Sequence, residues 1–378
     1  MDFSLTEEQE AIRDLAGKIL SERVRHERLL ELERSGEWFD LALWRELAAA
    51  NLPGVALPEA CGGSGFSLLE LCLVLTEVGR HVAPVPLFAS SVLGAAAIAE
   101  FGSDAQRDRW LRPLVERGAV LSAALSEAGA SIPAQPRVSA RRDGGGWRLD
   151  GEKTCVPGGL LAERILVPAR TPDGVAVFAL DASASGVTRE RQVMTSGEPQ
   201  ARLLLDGARV AGDDLLGDAA GGAAIVDWLV LRASVALAAI QLGVCEGALR
   251  DTSAYVAQRK QFGRPIATFQ AVALRAADAY IDTCCLRAVV QQAAWRIAAG
   301  RPAEASVAAA KWWAATAGMR VVHSAQHLHG GIGSDMEYPV HRYFLWAKQN
   351  ELLFGGARQQ LALLGDRLVE GGATGARA

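Results

Sequence analysis

Apolar residues recur at helical spacing over the first third of the chain, give way to short alternating runs, and return to helical spacing toward the end. Ile12, Leu15, Ile19 and Leu20 form the first stripe, and Thr6 and Gln9 ahead of it have capping-box spacing, so a helix is predicted there. A second helix is predicted from about 40 to 50, closing at Asn51-Leu52-Pro53-Gly54, and the glycine-rich LPEACGGSGF separates it from a third beginning near Ser67. Ser103 caps a further helix through Leu111, with Pro113 expected to help end the all-helical part. Runs at 137–140, 147–149, 165–167, 175–180 and 202–205 then alternate or carry β-branched residues between Gly, Pro, Asp and Ser, which predicts a small antiparallel β domain. From about 221 to 370 four or five long helical segments follow, with Gly300-Arg301-Pro302 marking one connection. The predicted fold is mainly α with a central β domain: an all-α domain at 1–118, a β-barrel-like domain at 119–218 and a four-helix bundle at 219–378.

The stretch 255–270, YVAQRKQFGRPIATFQ, lies between two of the long helical patterns. Leu237, Ile240, Val244, Ala248 and Leu249 precede it, Val272, Leu274, Ala277 and Ile281 follow it, and Gly263-Arg264-Pro265 breaks a helical hairpin. Arg259 and Lys260 are expected in the last turn of the first helix. Two readings are open for them. One is capping, since cations offset the negative end of the macrodipole. The other is that Arg259, Gln261 and Phe262 face a ligand that is anionic, polar and aromatic in turn, because a guanidinium fork binds a pyrophosphate bidentately.

Composition narrows the function classes. The 378 residues predict two or three units at roughly 150 residues per domain, and half of them are apolar, as suits a globular protein. A net charge of −4 with both signs interspersed provides no field for nucleic acid and no polybasic membrane patch, so neither partner is expected. The start MDFSLTEEQE lacks the order of a signal peptide, and a cytoplasmic protein is expected. Six cysteines without a C-x-x-C pair indicate buried reduced thiols rather than a zinc ribbon or redox dithiol. AQHLHGGIG, 325–333, follows a helical stripe of Val321, Val322 and Ala325; His323 just before it and His327 within it are four apart but lack an adjacent glutamate and a clear third ligand, which disfavours zinc. Gly330-Gly331 follows a helix rather than a strand, which disfavours a nicotinamide fingerprint.

RKQFGRPIATFQ closely resembles the arginine-x-glutamine-phenylalanine segment of the acyl-CoA dehydrogenase family, and the order of helical, β and helical parts resembles that family over nearly the whole chain. The resemblance implies an FAD whose pyrophosphate side is reached across a subunit interface by Arg259, Gln261 and Phe262. It also implies that His327, at the glutamine position of a Gln-x-x-Gly-Gly segment, and Gly330 and Gly331 contact the flavin's adenosine side across the interface. An acyl-CoA substrate and an electron-transfer flavoprotein or similar acceptor are implied as well.

The same comparison exposes departures. With Ala347-Lys348 setting the register in EYPVHRYFLWAK, Phe354 stands where most members carry the glutamate that removes the α-proton, and Leu231, before Arg232, stands at the alternative base position. Forming a C=C bond needs a base for the α-proton while flavin accepts hydride from Cβ; a positioned base contributes roughly 10²- to 10⁴-fold. Asp227, one turn before Leu231, and Glu351, one turn before Phe354, are the candidate substitutes. In the β domain the family's threonine-glutamate-proline segment resembles LSEAGASI at 125–132, where Ser126 keeps a hydroxyl as a flavin contact and Ile132 replaces a serine. Cys155 and Pro157 replace a tryptophan and a threonine that flank the isoalloxazine. Motifs that reach a neighbour's site are retained and those that build the chain's own site are lost. YIDTCCLR, QQAAWR and PVHRYFLWAK resemble the subgroup of bacterial two-plus-two heterotetramers that dehydrogenate steroid side-chain CoA thioesters. The expected function is therefore the non-catalytic partner of a homologous catalytic subunit. A self-sufficient flavin dehydrogenase or oxidase and a cofactor-free scaffold remain as alternatives.

Overall fold

Local sequence signals start and stop the helices. The computed structural model describes residues 3–130 and 132–375; Met1, Asp2, Ser131 and the last three residues lie outside the described residues. The helices are α1 (Glu7–Arg23), α2 (His26–Ser35), α3 (Leu41–Ala49), α4 (Leu68–Arg80), α5 (Ala96–Phe101), α6 (Asp104–Arg117), α7 (Gly222–Gln258), α8 (Gln270–Ala298), α9 (Glu304–His329), α10 (His341–Leu352) and α11 (Ala357–Gly375). The strands are β1 (Leu121–Ala123), β2 (Ser139–Asp143), β3 (Gly146–Val156), β4 (Arg164–Thr171), β5 (Gly174–Asp181), β6 (Val187–Val193), β7 (Pro199–Ala211), β8 (Leu215–Leu216), β9 (Lys260–Gln261) and β10 (Arg264–Pro265).

Thr6 and Gln9 close the expected capping box on α1, and Ser103 and Gln106 close another on α6. Pro113 does not end α6: the helix runs through it to Arg117 and stops where Gly118 turns left-handed at φ 70°. Burial of Trp110, Leu111 and Leu114 on one face outweighs the backbone hydrogen bond that the proline forfeits.

The chain divides into two compact units, one of Met1–Gly36, Leu68–Ala83 and Ser234–Ala378, the other of Glu37–Ser67 and Pro84–Ala233. In the first, α9 lies against α8, α10 and α11, and α4 against α1 and α8. Helices α4 and α7 approach backbone to backbone through glycines. A Cβ on Gly243 would lie 1.8 Å from the Thr76 carbonyl oxygen, and one on Gly79 would lie 2.0 Å from that of Ile240. Helix α7 is long and apolar enough to cross a membrane, yet 61% of its most apolar window is buried inside the protein, as in a core helix. On α8, Leu274 and Ile281 of the helical stripe are both 58% exposed.

The second unit holds the sheet, ordered β6-β7-β3-β2-β4-β5-β8, with β1 beside β4. It is not wholly antiparallel, because β1 pairs with β4, and β2 touches β4, in parallel. Strand β6, VTRERQV, is exposed nearly throughout and has no apolar alternation, so no pattern marks it in the sequence. Lys153, fully buried, donates to Glu127 Oε1 at 2.6 Å, and the Arg137 and Val138 amides donate to the same carboxylate. Burial pushes the Glu127 carboxyl up, but these donors together hold it below the ordinary glutamate value. The cysteines are free, but only Cys61, Cys72 and Cys245 are buried; Cys155 and Cys284 are half-buried and Cys285 is exposed.

Candidate functional site

Helix α7 ends at Gln258, so Arg259 and Lys260 are not in its last turn as the periodicity suggests. Arg259 follows the helix, its N–H donating to the Tyr255 carbonyl at 2.8 Å and its own carbonyl accepting from Ile266 N at 2.8 Å. Between these bonds the chain forms a two-residue β-hairpin, Gln261 opposite Arg264 and Lys260 opposite Pro265. Phe262 at φ 52° and Gly263 at φ 81° supply its left-handed corner. The corner costs strain at a phenylalanine, and the ring projects into solvent, 92% exposed, with its edge near Phe269. Arg259 and Gln261 are exposed as well, and no side chain among the described residues pairs with the Arg259 guanidinium.

A second exposed segment closes α9. His327 lies on its solvent side, and Gly330, at φ 66°, turns the chain out of the helix. A Cβ at Gly330 or Gly331 would meet nothing within 4 Å, so the backbone there is bare to an approaching group. Tyr255 and His329 join the two segments, their rings stacked with centroids 4.4 Å apart. Neither residue stands out in the sequence, because 74 positions separate them.

Phe354 and Leu231 stand at the positions that the resemblance assigns to a base. Phe354 lies beyond the end of α10 in a left-handed conformation, φ 55°, half-buried. Glu351 belongs to the last turn of α10, so it does not share a helix face with Phe354, and its carboxylate is taken by Lys348 Nζ at 2.7 Å. Lys311, fully buried, donates to the Asn350 and Glu351 carbonyls at 2.7 and 3.1 Å and so closes the C-terminal end of α10. Burial pushes its ammonium down to about 7, against the opposing charge of Glu351. In the other unit, Leu231 is half-buried on α7 and Asp227 is exposed one turn before it.

The β-domain positions are already occupied by protein groups. Cys155 sits at a bulge at φ 50°, and its N–H donates to Gln192 Oε1 at 2.9 Å, as does the Thr154 hydroxyl. Pro157 has no N–H to offer, and its carbonyl accepts from the buried Ser122 hydroxyl at 2.5 Å. Ser126 is bridged to Thr154, and Ile132 is 49% exposed.

The profile of the acyl-CoA dehydrogenase N-terminal domain matches residues 6–117, and that of the C-terminal domain matches 221–369. Acyl-CoA dehydrogenase FadE27 of Mycobacterium tuberculosis (strain ATCC 25618 / H37Rv) is 40% identical over 381 residues, spanning 98% of this chain and 99% of that protein. The chain belongs to the acyl-CoA dehydrogenase family. Its fold is the acyl-CoA dehydrogenase fold: it superposes on the ChsE4-ChsE5 complex from Mycobacterium tuberculosis with a TM-score of 0.92 at 40% identity, over 98% of this chain and 99% of that one. It superposes on a variant of the Tcur3481-Tcur3483 steroid ACAD with a TM-score of 0.90 at 45% identity, over 97% and 99%.

Acyl-CoA dehydrogenases are FAD-dependent oxidoreductases. Two places in this member can be compared with what such a cofactor requires. The hairpin and the glycine turn offer a guanidinium with no side-chain partner among the described residues, an exposed amide side chain, an exposed ring and sterically open backbone, a set that fits a dinucleotide. At 155 and 157 there is no broad aromatic face, one amide is already bonded and the other is absent, which fits an isoalloxazine poorly.

Proposed function

We propose that this chain is the non-catalytic subunit of a heteromeric acyl-CoA dehydrogenase, lending FAD contacts to a homologous partner that supplies the base, the flavin-bearing β domain and the substrate pocket. The carrying observation is the contrast within one family member between exposed groups at Arg259, Gln261, Phe262, His327, Gly330 and Gly331, with no side-chain partner for the Arg259 guanidinium among the described residues, and inert or occupied groups at Phe354, Leu231, Cys155 and Pro157. Bound FAD supplies the two-electron acceptor for α,β-dehydrogenation. On this chain, Arg259 neutralises pyrophosphate charge with a two-donor fork, Gln261 and His327 add polar contacts, and Phe262 caps the apolar surface. Ser126 keeps a hydroxyl in a site that this chain does not complete. The exposed apolar stripe of α8, with Leu274, Tyr280 and Ile281, supports burial against another subunit.

The division into parts at 1–118, 119–218 and 219–378 and a cytoplasmic location belong to the same proposal. So does a steroid side-chain CoA thioester as substrate, which the similarity to a steroid ACAD favours. An electron-transfer flavoprotein or similar acceptor would then reoxidise the complex.

Arg259→Lys in the assembled complex tests this directly. It keeps charge and removes the fork, and charge-assisted hydrogen bonds contribute about 1.5–3 kcal/mol, so flavin affinity should fall roughly ten- to a hundredfold. Unchanged affinity would make Arg259 a structural residue and overturn the cross-subunit assignment.

A further inference from the structure

The hairpin and the glycine turn leave helices far apart in sequence, and a small aromatic cluster joins the two helix ends. Tyr255, one turn before Arg259, stacks on His329 with ring planes 23° apart. Tyr338 lies against both, with centroids 6.4 Å from Tyr255 and 5.5 Å from His329. His329 is 4% exposed, and its Nδ1–H donates to the Ala325 carbonyl at 2.8 Å, which fixes the ring's tilt. Tyr338 is held in turn, since its carbonyl accepts from His341 Nδ1 at 2.6 Å. The Tyr255 hydroxyl reaches the His329 carbonyl at 3.4 Å. That carbonyl precedes Gly330, whose φ of 66° and ψ of −143° are open to glycine and few other residues. Ring and carbonyl of His329 are thus both engaged by Tyr255 at the bond where the chain leaves α9.

We infer that the Tyr255–His329 stack is a positioning clamp that sets the hairpin bearing Arg259 and the turn bearing Gly330-Gly331 at the spacing one dinucleotide requires. This rests on the proposed role of Arg259. Neither ring is itself a ligand: Tyr255 acts through Arg259, whose N–H is bonded to the Tyr255 carbonyl, and His329 acts through the glycine turn. Burial holds the His329 imidazolium below its ordinary value, so the ring stacks as a neutral group at pH 7. A clamp of this kind needs a flat ring rather than a given volume of side chain.

The test uses the complex co-expressed with its partner subunit and reads the FAD dissociation constant by titration, beside the thermal unfolding of the flavin-free complex. His329→Leu keeps bulk and loses the stack; His329→Phe keeps a stacking ring; Tyr255→Leu loosens the clamp from the hairpin side. The Leu variants should weaken FAD binding roughly two- to twelvefold, the range of an aromatic pair, while His329→Phe stays within about twofold of wild type. His329→Leu combined with Arg259→Lys should lose less than the product of the two single effects, because both disturb one contact. If Arg259→Lys weakens flavin binding and neither Leu variant does, the clamp is refuted and the role of Arg259 stands. The clamp is equally refuted if His329→Phe and His329→Leu lose affinity alike in step with thermal stability. If Arg259→Lys has no effect, the cross-subunit reading falls and the clamp with it.

Discussion

At the scale of single residues, what a side chain touches decides its role more than its type does. Lys311 closes, with its buried amine, the two carbonyls that end α10, just before Phe354. Because burial lowers its folded value to about 7 from roughly 10.4 in an unfolded chain, the unfolded state binds more protons between those values. Stability from this group therefore rises with pH across that window, by at most about 1.4 kcal/mol per unit. Lys311→Met should remove the rise, so melting temperatures of wild type and variant should diverge between about pH 6.5 and pH 9. Parallel curves would show that the amine does not titrate in the folded chain. The contrast with Arg259 shows what the sequence discloses. Arg259, Gln261 and Phe262 lie within one short, chemically distinctive stretch, so the segment stands out in the sequence, while a flavin role for it comes from the family resemblance. Lys311 and His329 act through partners 39 and 74 positions away, and no local pattern encodes those contacts.

At the scale of elements, the legible signals are those that act within a few residues: the capping box of α1, the Ser103 cap of α6, the break at Gly263, the change to alternation after Ala119. Misread elements are those settled by tertiary contact. Pro113 lies inside α6 because the packed face of Trp110 and Leu114 carries the helix past it, and β6 is a strand through pairing with β7 despite its charge. Glycines in α7 read in sequence as weak helix formers, whereas in the fold they admit α4. Gly243→Ala should therefore destabilise by about 1–3 kcal/mol or more, since the new methyl group meets the Thr76 carbonyl and the Arg80 amide. Gly365→Ala on α11, where a Cβ meets nothing, should be neutral or gain up to about 1 kcal/mol. Denaturant midpoints of the two variants check this pair, and equal midpoints would contradict the close approach of α4 and α7.

At the scale of the whole molecule, the chain keeps the family's fold from end to end, while the chemistry of its site is distributed unevenly along it. On the proposed reading, the groups that contact FAD are on the hairpin and the α9 turn, whereas the Cys155 amide is already bonded to Gln192 and Pro157 has no N–H to offer. The proposed half-site predicts one flavin for each pair of unlike chains. The decisive measurement is flavin stoichiometry by absorbance of the purified single chain and of the complex co-purified with its partner subunit. The expected result is no bound flavin on the single chain and one per pair in the complex. Stoichiometric flavin on the single chain, or two per pair in the complex, would contradict the proposed half-site.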